Sequence, residues 1–202
     1  MTLFERRLEK AAVKWLGAEN VTFVDGWKTR NNGRWRYGAG NKPVMALAHH
    51  TAGGDSQDPN GNPGVVQYVI HRSTRVPYAN AVIDSDGHTY ICSGGPVWHA
   101  GRGSFKGTRW GRWGIPDNMA NWATWGTEVV SAGRKKDFSL AEKKALRRLH
   151  CAVREAAGWK GFKYRLANHK DWAPTRKIDT QYSWMWLVTG ARKVWSRQSF
   201  GI

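Results

Sequence analysis

The sequence is poor in three things, and each scarcity removes a class of protein. It holds two cysteines, Cys92 and Cys151, far apart and in no CxxC or Cys/His finger spacing. That excludes a thiolate zinc finger and a disulfide-framed scaffold. Isolated thiols of this kind belong in the interior, and a disulfide between them stays open because its reach depends on geometry. No stretch approaches the roughly 20 consecutive apolar residues that a helix needs to span a bilayer. The N-terminal stretch Met1 to Gly17 scatters charges through its apolar positions, so it reads as a surface helix and not as a secretory signal. Acidic residues are also scarce: 15 Asp and Glu stand against 32 Lys and Arg, a formal charge of +17. Such an excess attracts polyanions. The basic residues are dispersed, however, and no RNP, zinc-finger or helix-turn-helix pattern accompanies them, so nucleic acid is not the expected partner.

What is present suits a folded α/β domain. Of 202 residues, 41% are hydrophobic and 12% aromatic, enough for one hydrophobic core and too few residues for two ordinary domains. No internal repeat or linker is visible, so residues 1–202 are expected to form one domain, with an extension over 1–43 and a core over about 44–195.

Periodicity and turn chemistry predict the elements. Residues 20–43 read as loop with a short strand at Val21 to Val24. Val44 to His49 is an apolar run between Pro43 and Gly53-Gly54, as expected of a strand buried on both faces. Asn62-Pro63 opens a helix to about His71, with Val65, Val66, Val69 and Ile70 on one face. Ala79 to Asp84 and His88 to Cys92 flank Ser85-Asp86-Gly87 and predict a β-hairpin. A strand is expected at Trp125 to Val130. Ser139 and Glu142 form a capping box for a helix ending at Gly158. Tyr164 to Asn168, a loop from His169 to Asp179, and a Trp-rich helix from near Thr180 complete the chain. His71, His88 and His150 read as ordinary surface or packing histidines.

The chemistry concentrates in two places. His49 and His50 end the first core strand, and alternation lets only one of them face a given site. The second place is His169-Lys-Asp-Trp-Ala-Pro-Thr-Arg-Lys177-Ile-Asp179, where Pro174 makes a turn that could bring both ends together. Two imidazoles and a carboxylate suit zinc, and three protein ligands leave one of its positions open, as catalytic sites do.

His49-His50-Thr51-Ala52 and His169 through Asp179 together resemble the paired signatures of the amidase-2 family, which includes phage lysozyme-amidases and peptidoglycan recognition proteins. The resemblance runs from about Gly26 to Trp186 and takes in Trp98-His99-Ala100-Gly101 and Gly126-Thr127-Glu128. Gly26-Trp27-Lys28-Thr29-Arg30 is similar to endolysin catalytic domains of phages that infect actinobacteria. Many relatives carry His or Tyr near position 80, where this chain has Tyr78-Ala-Asn80, and most have Pro where it has Thr180.

The resemblance implies a mixed central β-sheet with helices packed on its faces and one zinc ion per chain on His49, His169 and Asp179. It implies hydrolysis of the amide between N-acetylmuramic acid and the L-alanine of the stem peptide in bacterial peptidoglycan. Glu128 is expected to take a proton from water and pass it to the departing nitrogen, although a residue nearer position 80 is an alternative. Lys177 is expected to stabilise the oxyanion. His99 and Asn80 are expected to contact substrate, His99 having simple packing beside Trp98 as its alternative. Most of the thirteen tryptophans belong in the core, while some could stack on sugar faces. The charge is expected to hold the protein on anionic wall polymers. A monomeric lysin, made in the host cytoplasm and reaching the wall once the membrane is opened, follows from the same likeness. A peptidoglycan-binding module that does not cut is the competing reading, because function follows the site and not the fold.

Overall fold

The computed structural model describes residues 1–37, 40–51, 63–71, 76–131, 136–162, 165–177 and 181–199. Helix α1 (Leu3–Leu16) begins at Thr2, whose hydroxyl accepts from the Glu5 N–H while the Glu5 carboxylate returns to the Thr2 N–H. Phe4, Leu8, Ala11, Ala12, Trp15 and Leu16 are buried, while Leu3 and Val13 stand with the charged residues on the exposed side. Helix α3 (Leu140–Ala157) has the Ser139/Glu142 capping box and ends on Gly158, which takes the left-handed conformation at φ 63°. Trp15 ties α1 to α3 by donating to Glu155 at 2.7 Å and stacks on Trp195 of α5 (Trp184–Ser199) with ring centroids 4.8 Å apart. Each large apolar side chain buried in this layer contributes about 1.5–3 kcal/mol.

The strands are β1 (Val21–Phe23), β2 (Met45–Thr51), β3 (Ala81–Ile83), β4 (Thr89–Ile91), β5 (Thr124–Val130) and β6 (Leu166–Asn168). They form a six-stranded sheet in the order β1-β4-β3-β5-β2-β6. The β3–β4 hairpin is antiparallel, turning at Gly87 with φ 85°. The other pairs are parallel, which makes the sheet mixed.

Alternation along the strands divides the core. Ala46, Ala48, Trp125, Val129 and Leu166 pack with α1, α3 and α5. Met45, Leu47 and Ala167 belong to the opposite cluster with Phe105, Trp110 and Trp172. Beyond it, Val82 and Tyr90 pack with Val65, Val66, Val69 and Ile70 of helix α2 (Gly64–His71). The proposed cap at Asn62 lies outside the described residues, and α5 begins at Trp184 and not near Thr180.

His169 is not in a loop, as its sequence context implies. It opens the short helix α4 (His169–Trp172), because the Asp171 carboxylate accepts from the Asn168 N–H at 2.8 Å and starts the turn immediately after β6.

Candidate active site

Strands β2 and β5 run parallel with His49 opposite Glu128. Two-residue alternation puts His49 with Met45 and Leu47, on the face away from α1 and α3. The His49 side chain is fully buried, that of Glu128 is 16% exposed, and His49 Nδ1 lies 3.9 Å from Glu128 Oε1. On the other side of β2, Ala48 pairs with Asn168 of β6. The chain passes from there directly into α4, which brings His169 against His49 with ring centroids 4.2 Å apart and planes inclined by 59°.

The outer nitrogens of both rings are held by one short segment. His169 Nε2 donates to the Ala100 carbonyl at 3.0 Å. His49 Nε2 lies 3.0 Å from His99 Nδ1, and His99 Nε2 donates to the Thr124 carbonyl at 2.8 Å. Burial holds the His49 imidazole well below its usual pKa, and the neighbouring His169, His99, Lys177 and His50 charges push it the same way. Burial likewise drives His99 down to about 3, against the pull of its bond to Thr124. Lys177 arrives on the turn after α4, where its N–H donates to Ala173 O at 2.9 Å.

These residues suit a divalent cation. His49 Nδ1 is buried and has no hydrogen-bond partner among the described residues. It faces a carboxylate at 3.9 Å, too far for a hydrogen bond, beside a second buried imidazole. Neutral imidazole with carboxylate is a donor set for zinc. Among the described residues no group of three His, Cys, Asp or Glu is arranged to hold a metal. Asp179, the expected third ligand, lies outside them.

Residues 39–181 match the family described as N-acetylmuramoyl-L-alanine amidase, Amidase_2. The chain belongs to this amidase family. Among solved structures it is similar to a selenomethionine derivative of AmpD, at 17% identity and a TM-score of 0.52, covering 86% of this chain and 98% of the other. It is also similar to the Drosophila peptidoglycan recognition protein SD, at 17% identity and a TM-score of 0.51, covering 81% and 90%. At that identity the two likenesses establish the amidase-2 fold. No curated protein matches the chain.

The other expected site residues of this amidase-family chain are placed differently. Asn80 has no exposed surface and its amide makes three hydrogen bonds: Nδ2 donates to the Ser93 and Gly95 carbonyls at 3.2 and 2.6 Å, and Oδ1 accepts from Gly126 N–H at 2.8 Å. It joins β5 to the chain after β4. His99 is also buried, with both ring nitrogens engaged inside the protein. Trp98 is the one tryptophan exposed among the described residues, at 39%, and stands edge-on to Trp122. Cys92 and Cys151 are free, buried thiols, each pushed up to about 12 by burial.

Sequence reasoning missed the Ala100 and Thr124 carbonyls and the purpose of Gly126. A Cβ on Gly126 would stand 2.3 Å from His99 Cγ. The glycine is the seat of the His99 ring.

Proposed function

We propose that the whole chain acts as a single zinc-dependent catalytic domain that cleaves the amide between N-acetylmuramic acid and L-alanine in peptidoglycan. The observation that carries this reading is the buried His49/His169 pair with Glu128 facing His49 Nδ1. His49, His169 and Asp179 would hold the metal. Zinc, when bound, polarises a carbonyl and acidifies water. Glu128, whose side chain is partly exposed, would take the proton from the attacking water and deliver it to the departing nitrogen. Lys177, whose charge already acts on His49, would place an ammonium beside the developing oxyanion.

The finer parts of the reading rest on sequence and charge. Elements such as 26–30 support an endolysin released onto the wall from the host cytoplasm. The +17 charge supports retention on anionic wall polymers. A groove of about 680 Å³ between α1, α3 and α5, lined by Lys144, Arg147, Arg148 and Arg197 among others, is our candidate for that contact. None of the candidate catalytic residues lines it.

Mass spectrometry of purified peptidoglycan fragments, incubated with and without a zinc chelator, tests the main reading. Stem peptides with a free N-terminal alanine, lost on chelation and restored by zinc, are expected. Fragments bound but uncut would favour the recognition-module reading, to which the likeness to peptidoglycan recognition protein SD lends support. Cut sugars or cross-links would refute the bond assignment.

A further inference from the structure

We infer that His99 is a positioning residue: its ring fixes the tautomer of His49, so that the Nδ1 lone pair of His49 is turned toward the candidate metal site. The inference deepens the zinc reading and depends on it for its functional meaning.

The Thr124 carbonyl oxygen can only accept, so His99 Nε2, 2.8 Å away, must carry the proton. Thr124 Oγ1, 3.1 Å from the same nitrogen, spends its own proton on Ala120 O at 2.8 Å, and so it also presents a lone pair to His99. A buried neutral imidazole has one N–H. With Nε2 protonated, His99 Nδ1 is bare, and the 3.0 Å contact to His49 Nε2 requires that nitrogen to donate. His49 Nδ1 is then the unprotonated nitrogen, the form in which an imidazole binds a metal. It is also the atom that has no hydrogen-bond partner among the described residues and faces Glu128. The proton pattern therefore runs from Thr124 through His99 and leaves a lone pair at the site.

The same segment treats the second histidine alike. His169 Nε2 lies 3.0 Å from the Ala100 carbonyl, so it too must donate. Residues 99 and 100 thus set both rings, one through a side chain and one through the backbone. Outer-sphere partners of this kind fix ring orientation and tautomer, and their loss typically costs about 10–100-fold in metal affinity. Gly126 is the third part: any side chain there would displace the His99 ring, since a Cβ would lie 2.3 and 2.4 Å from His99 Cγ and Nδ1.

The test is read first on the metal-free protein. Long-range ¹H–¹⁵N spectra of the imidazoles are expected to show His49 protonated on Nε2 and bare on Nδ1 in the wild type. His99→Asn, whose Oδ1 can replace Nδ1 as acceptor, should keep that tautomer. His99→Leu and Gly126→Ala should lose it or mix the two forms. Zinc affinity, measured by competition with a chromophoric chelator, should fall about 10–100-fold in His99→Leu and much less in His99→Asn. A wild-type His49 protonated on Nδ1 overturns the inference whatever the variants do, as does unchanged zinc affinity in a folded His99→Leu. Wild-type protein that shows the expected tautomer but takes up no zinc would refute the zinc reading while leaving the His99–His49 relation standing.

Discussion

His49 and Glu128 are partners in the β2–β5 ladder, and Nδ1 of the one faces Oε1 of the other across 3.9 Å. Glu128→Gln keeps the shape and removes the charge and the basicity. Turnover of peptidoglycan fragments is expected to fall about 10²–10⁴-fold, the usual contribution of a general acid/base, with the circular dichroism spectrum unchanged. Wild-type rates in this variant would take Glu128 out of the proton path.

Lys177→Ala separates oxyanion stabilisation from metal binding. Zinc content by elemental analysis should match the wild type while turnover drops about 10²–10³-fold. Zinc lost together with activity would mean that Lys177 supports the fold of its turn and not the transition state.

Asn80→Ala removes three hydrogen bonds from a fully buried position. Leaving those backbone groups unpaired should lower stability by about 2–3 kcal/mol, measured from urea midpoints. KM at a temperature where the variant is folded should not move. A raised KM at unchanged stability would support the substrate contact expected from sequence.

His150 of α3 is buried, neither ring nitrogen has a partner among the described residues, and burial pushes its pKa down to about 3. The unfolded chain takes a proton there near pH 6.5 and the folded chain refuses it until about pH 3. Stability from this group is therefore intact above about pH 6.5 and declines below it by about 1.4 kcal/mol per pH unit. His150→Leu should flatten the acid limb of a urea-midpoint series between pH 7 and 4. An equal slope in both proteins would show that protonation of His150 is not resisted.

The groove between α1, α3 and α5 gives a test of wall retention. Charge reversal of Lys144, Arg148 and Arg197, which line it, should weaken co-sedimentation with anionic wall material several-fold and reduce its dependence on salt. Cleavage of small soluble fragments should continue at the wild-type rate. Unaltered sedimentation would place retention elsewhere on the surface.

Much of this architecture is written locally in the chain. The apolar run ending in His49, the Ser85-Asp86-Gly87 turn and the Ser139/Glu142 box each specify an element through neighbours a few residues away, and each is found where those signals put it. Two local signals of the same type went unread: Thr2 with Glu5 at the start of α1, and Asn168 with Asp171, which makes His169 the first residue of a helix. What lies beyond local reading depends on contacts between distant segments. Nothing around Asn80 announces that Gly126 N–H will meet its side chain. Nothing near His99 reveals that His49 and Thr124 will occupy both of its nitrogens. The likeness to a family supplied the residue types at these positions, while their partners emerge only from the packed structure.

The position of β2 between β5 and β6 has a consequence for how the protein is made. Both neighbours come from far downstream, and β6 with α4 is followed only by α5 among the elements. Parallel pairings over such separations close slowly. During synthesis the ribosome would therefore release His49 long before His169 exists to stand beside it, so a nascent or C-terminally truncated chain carries no paired histidines. The two imidazoles meet only as the last strand docks.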